Sequence, residues 1–139
     1  MQMRAPSYPL ITVDPYFSVW SPSNALSGSV TCHWTGKPNT IVGAAEIDGT
    51  TYRFLGRLHA GDDSPVMRQL SADVTALSTT YRFEAADVLL KAVFTTPLLT
   101  DDLALMTRPV SYLHIAVEST DAREHSVRVS VRVSEEICL

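Results

Sequence analysis

The sequence predicts an all-β protein, an antiparallel sandwich of two packed sheets with little helix. Three observations carry this expectation. Near the C-terminal end, Val127, Val129, Val131 and Val133 alternate with Arg128, Ser130, Arg132 and Ser134. Upstream, Leu113, Ile115 and Val117 alternate with Tyr112, His114, Ala116 and Glu118. A period of two puts one set of side chains on each face of a strand. Second, Asp48-Gly49 sits between two strand-like runs, and this pair suits the φ > 0 geometry of a tight hairpin turn. Third, no stretch shows an amphipathic helix of three turns, and about eight short apolar runs are punctuated by Pro, Gly, Asp and Ser.

Taken in order, Arg4 to Pro9 is proline-punctuated and extended, because Pro6 and Pro9 push the residues before them toward β geometry. Leu10 to Val13 reads as a first short strand, stopped at Asp14-Pro15. Tyr16 to Trp20 reads as a second, stopped at Ser21-Pro22. Ser21 to Thr40 shifts to Ser, Asn, Gly, Thr and Pro. It is expected to be a long surface excursion that is functional or packs on a neighbour. Ile41 to Leu55 is a hairpin in which Ile47 faces Thr50 and Ala45 faces Tyr52. Gly43, Ala45, Ile47, Tyr52 and Phe54 share one face, and Ala44, Glu46, Thr51 and Arg53 the polar one. Gly56 to Pro65 is a polar connection and Val66 to Val74 a weaker strand. Thr79 to Ala85 and Val88 to Thr95 form a hairpin around Ala86-Asp87, with Tyr81, Phe83, Val88, Leu90, Ala92 and Phe94 as its apolar positions. Asp101 to Met106 suggests one helical turn with Asp101 near its N-terminus, ended by Pro109. The two C-terminal strands are expected to pair with each other across Thr120–His125, with all four valines facing inward.

A chain of 139 residues suits one domain, residues 1–139. Residues 1–65 carry the long loop and the Asp-Gly hairpin, and 66–139 the remaining antiparallel strands. A chain of this size buries roughly two-thirds of its unfolded surface. The last strand runs straight into Glu135 to Leu139, which end on apolar residues. This reads as a cut end, so the chain is expected to be a fragment with a sheet edge left bare. The net charge of −4, with basic residues scattered singly, argues against nucleic acid or an anionic membrane as partner. No apolar run approaches the ~20 residues of a membrane span, and the N-terminus has no signal-peptide core. Cys32 and Cys138 read as small buried side chains, and a disulfide between them is left open.

Candidate sites are sparse. His33-Trp34 offers a loop tryptophan that could stack on a sugar or a peptide, or that pins its loop to the sandwich or to a following domain. His33 and Trp34 are therefore the ligand-binding candidates. Asp62-Asp63, Asp101-Asp102 and Glu135-Glu136 lack the spacing of a calcium loop and read as solvated turn acids. His59, His114 and His125 are single residues without metal-ligand spacing, and no nucleophile elbow, phosphate loop or dinucleotide fingerprint is present. No catalytic residue, metal site or cofactor is expected.

Several stretches in order resemble the N-terminal region of the glutaminase A family. They are Arg4 to Leu10, Asp14 to Ser21, His33 to Pro38, Val42-Gly43 with Ile47 to Gly56, Phe94 to Leu99, Asp102-Leu103 and Arg108 to Leu113. The resemblance spans nearly the whole chain. It implies a β-sandwich ahead of a larger helical-barrel domain, which would be its partner, and a secreted or cell-envelope location. It also implies a parent activity, hydrolysis of L-glutamine to L-glutamate and ammonia, with this region non-catalytic; no catalytic residue carries over. Two further readings stand beside it: a carbohydrate-binding accessory sandwich of a glycoside-hydrolase-like protein, using Trp34, and a module that forms homo-oligomers through its sheet edges.

Overall fold

The computed structural model describes residues 5–138, without the side chain of Cys138, so pairing of Cys32 with Cys138 lies outside it. Among the described residues nine strands run in chain order: β1 (Tyr8–Thr12), β2 (Ser18–Ser21), β3 (Ile41–Ile47), β4 (Thr50–Leu55), β5 (Arg68–Val74), β6 (Ser78–Ala85), β7 (Val88–Thr95), β8 (Tyr112–Ser119) and β9 (Val127–Val133). A single helical turn, α1 (Leu103–Met106), and a closing 3-10 turn (Glu135–Cys138) complete the regular structure. All pairing between strands is antiparallel. A three-stranded sheet has the order β4-β3-β9 and a four-stranded sheet the order β5-β6-β7-β8, with β1 and β2 as a small separate ribbon.

Alternation builds the core. From β3, Ile41, Ala45 and Ile47 are buried. From β6 and β7, Tyr81, Phe83, Val88, Leu90, Ala92 and Phe94 join them in one cluster with Leu10, Val19, Leu26, Phe54, Leu55 and Met67. Phe54 of β4 meets Phe83 of β6 across the layers with ring centroids 5.6 Å apart. The fold is thus the all-β sandwich the sequence predicts. The β1–β2 ribbon lies across one end: Thr79 Oγ1 donates to the Pro9 carbonyl at 2.7 Å and the Thr12 N–H donates to Thr96 Oγ1 at 3.1 Å.

Both predicted tight turns form. Asp48 and Gly49 have φ of 50° and 88°, and Ile47 faces Thr50 and Ala45 faces Tyr52, as expected. At Ala86-Asp87 φ is 47° and 60°. In α1 the cap is Asp102 rather than Asp101: its carboxylate accepts the Leu105 N–H at 3.0 Å.

Three expectations are corrected. The excursion over residues 21–40 packs on its neighbours, as expected, but it runs partly inside the fold rather than over its surface. Trp20 and Cys32 exchange both backbone hydrogen bonds, at 2.7 and 2.9 Å, Leu26 and Thr31 are fully buried, and the Gln69 amide clasps Leu26 and Asn24. Second, β8 and β9 do not pair with each other. β8 adds to β7 over eight residue pairs and β9 to β3 over seven, so the 120–126 connection passes from one sheet to the other. Alternation decides which face a residue occupies, not which neighbour its strand takes, and either pairing satisfies it. Third, the valines are covered only in part. Val127 and Val129 pack on the core, whereas Val131 and Val133 are 40% and 56% exposed.

Tyr81 is buried in this core, stacked on Phe83 and edge-on to Phe94, and among the described residues its hydroxyl has no hydrogen-bond partner. Burial pushes its pKa upward. An unpaired buried hydroxyl costs about 1–3 kcal/mol. Tyr81→Phe is therefore expected to leave the denaturation midpoint unchanged or raise it, and a clear fall would reveal an unseen partner of the hydroxyl.

Candidate functional site

Three polar clusters stand on this frame. The first holds the candidates His33 and Trp34. The turn between β1 and β2 is shaped by Asp14, whose carboxylate accepts the N–H groups of Tyr16 and Phe17 at 2.7 and 2.8 Å. This turn presents the Pro15 carbonyl, which accepts from both His33 Nε2 at 2.8 Å and the Trp34 indole N–H at 2.7 Å. His33 Nδ1 takes the Thr35 N–H at 3.3 Å and lies 2.9 Å from its hydroxyl, so the ring proton shared with Pro15 sits on Nε2. The structure thus brings the two predicted residues together, their rings 5.4 Å apart. Both clamp their loop, yet Trp34 remains 62% exposed and Tyr16 92% exposed. Beside them lies an open depression of about 540 Å³ lined by Asp14, Phe17, Lys37, Asn39 and Glu136 among others. With both ring nitrogens of His33 engaged, the arrangement suits binding through the indole face better than proton transfer.

The second cluster centres on Arg53, which the sequence places on a polar face. It is buried, 4% exposed. Its guanidinium donates to the carbonyls of Ser27 at 2.7 Å, Gly56, and Asp62 at 3.2 Å, and pairs with the Asp62 carboxylate at 3.5 Å. Burial lowers the Arg53 pKa. Asp62 is correspondingly not a solvated turn acid: hydrogen bonds from the Ser64 hydroxyl and N–H, with the Arg53 charge beside them, hold its pKa down at about 2. Arg53 therefore fastens residues 56–65 along the outer edge of β4, where the Arg53 N–H donates to Pro65 and the Met67 N–H returns to Arg53. The resulting wall and the outer face of β3 and β9 enclose a groove of about 440 Å³ lined by Glu46, Thr51, Arg128, Ser130 and Arg132.

The third cluster was not legible as a site. His125 bridges Asp48, at 2.6 Å from Nδ1, and Asp121, at 2.8 Å from Nε2. Asp48 lies 77 positions away in the β3–β4 turn and also accepts the Ser126 N–H. The two carboxylates, Asp48 first, raise the His125 pKa. His125 and the Arg123 N–H hold Asp121 down at about 2, and His125 and Ser126 lower Asp48. When the ring is protonated both nitrogens donate to carboxylates, and His125 then has no lone pair left to activate a nucleophile. It locks the 120–126 crossover onto the opposite sheet. Among the described residues no group of three His, Cys, Asp or Glu is placed to hold a metal ion, and no helix is long and apolar enough to cross a membrane.

A raised His pKa contributes stability fully present below the unfolded value of about 6.5 and lost as pH climbs through the folded value; the depressed Asp values contribute above about 3.9 and are lost on acidification. The clamp is strongest between these limits. Thermal midpoints are expected to fall from pH 6 to pH 9, and His125→Gln should flatten that decline. Parallel pH profiles for the two proteins would contradict the assignment.

Residues 1–66 match a domain of unknown function, DUF4964, and residues 77–139 a second domain of unknown function, DUF5127. Glutaminase A of Aspergillus oryzae is 28% identical over 141 residues, covering 96% of this chain and 20% of that protein. The chain therefore spans about one-fifth of the length of the curated relative it matches. No solved structure matches it. The resemblance to the N-terminal region of the glutaminase A family holds along nearly the whole chain.

Proposed function

We propose that this chain is the N-terminal β-sandwich of a glutaminase-like hydrolase, and that it supports a catalytic domain rather than performing chemistry itself. The observation that carries the reading is the alignment with Glutaminase A, which takes in nearly all of this chain and only a fifth of the relative. The polar clusters support it, since Arg53, His33 and His125 each spend their hydrogen-bonding capacity fastening one part of the fold to another. The parent reaction would be hydrolysis of L-glutamine to L-glutamate and ammonia, in a secreted or cell-envelope protein whose downstream helical domain supplies the active site.

The test is ammonia release from L-glutamine by the 139-residue chain and by a full-length protein that contains it. Release by the longer protein and none by the chain alone is expected. Robust hydrolysis by the 139 residues would overturn the non-catalytic assignment, and an inert longer protein would overturn the glutaminase assignment. A second reading, glycan binding, is favoured by the exposed Trp34, whose indole N–H bonds the Pro15 carbonyl next in sequence to the exposed Tyr16. It predicts tryptophan fluorescence quenching by an oligosaccharide that is lost in Trp34→Ala.

A further inference from the structure

The two sides of the sandwich differ. On the β4/β5 side, Pro65–Met67 hydrogen-bonds to the outer edge of β4, and β5 carries a register shift between Gln69 and Ser71. On the other side β8 and β9 end their sheets, each regular over its full pairing with its inner neighbour. Neither strand contains proline, lysine or a bulge, and the charges that guard the β9 edge are the two arginines of its outer face. Between the two strands opens a cleft of about 360 Å³ in which Val88, Val117 and Val127 meet the polar residues Glu118, Ser119, Arg123, Glu124 and His125 of the crossover; away from it the apolar row continues into the half-exposed Val131 and Val133.

On the outer face of β9, Arg128 and Arg132 are exposed and, among the described residues, make no ion pair; Glu46 lies across the ladder from Arg128 on the β3 side. Residues 127–133 read V-R-V-S-V-R-V, the same in both directions. Antiparallel pairing of two copies centred on Ser130 would set Arg128 against the Arg132 of the second copy, and like charges directly opposite are unfavourable. The full-length register thus argues against self-pairing and favours an acidic neighbour.

We propose that the outer edge of β9 receives one further strand, an extended segment of a neighbouring domain, apolar at every second residue and acidic between. Its apolar side chains would cover the valine row and its carboxylates would lie opposite Arg128 and Arg132, so backbone pairing gives affinity and charge sets register. The chemistry of the edge stands on these residues alone; the origin of the strand in a neighbouring domain rests on the functional reading above.

The experiment uses the 139-residue chain and synthetic peptides in which Val alternates with Glu, Val alternates with Lys, or the Val/Glu composition is scrambled. Binding is followed by fluorescence anisotropy and by amide hydrogen exchange. The Val/Glu peptide is expected to bind best and to protect those β9 amides not already bonded to β3. Arg128→Glu with Arg132→Glu should weaken it by about tenfold or more and transfer the preference to the Val/Lys peptide. Unchanged exchange protection of the β3–β9 and β6–β7 amides shows the double variant to be folded. Equal binding of the three peptides, or a dimer in light scattering with β9 already protected, would overturn the proposal. Glutamine hydrolysis by the longer protein is read separately, so failure of that activity with peptide binding intact would remove the proposed function and leave the docking edge standing.

Discussion

Replacing Gly56 by alanine is expected to cost about 3–5 kcal/mol, against a total of ~5–15 for a domain of this kind. Gly56 adopts φ +67°, where an L side chain is strained, and an added Cβ would overlap the backbone carbonyl of Ile41. The obstacle is main chain, so no rotamer change relieves it. The residue also joins three parts of the fold: its N–H donates to Leu26 at 2.9 Å and its carbonyl accepts from Arg53. Gly36 is the control. It has φ +90° with nothing near the added Cβ, so Gly36→Ala should cost only the backbone strain, about 1–2 kcal/mol. Denaturant midpoints measure both. A Gly56→Ala variant no less stable than Gly36→Ala would show that the β3–β4 junction is looser than described.

The second large effect is expected at Arg53. Arg53→Met keeps the length and apolar stem of the side chain and removes the guanidinium. The carbonyls of Ser27, Gly56 and Asp62 then lose a charged donor inside the fold. Breaking such a buried arrangement from one side costs about 3 kcal/mol. A local consequence should accompany the global one. Residues 57–65 lose their anchor, so trypsin is expected to cut after Arg57 in the variant before the rest of the domain unfolds. Asp62→Asn should add little to Arg53→Met, because the two act on one contact. Unchanged stability with an unchanged digestion pattern would contradict the role given to Arg53.

Local pattern carried much of the architecture. The β3–β4 register was readable because Asp48-Gly49 leaves one way to close the turn, and the buried row Tyr81, Phe83, Val88, Leu90, Ala92 and Phe94 because both its strands alternate cleanly. The destinations of β8 and β9 were not readable, since their alternation is compatible with pairing to each other or to strands far back in the chain. Arg53 looked like a surface charge because the carbonyls that bury it come from residues 27, 56 and 62, which no period links. His125 looked solitary because Asp48, one of its two carboxylates, lies 77 positions away. His33 and Trp34 could be singled out as an unusual loop pair, but their common acceptor, the Pro15 carbonyl, is a backbone atom that residue types do not reveal.

The open side of the sandwich exists because β8 and β9, adjacent in sequence, join different sheets. Cross-strand backbone NOEs measured on the isotope-labelled chain test this directly. Contacts linking Ala44 with Ser130 and Val42 with Arg132 are predicted, together with Ala92–Ile115 contacts in the other sheet. A ladder of backbone contacts running from Ile115 and Val117 to Val127 and Val129 would mean that the last two strands close on each other, contradicting both the topology and the docking edge built on it.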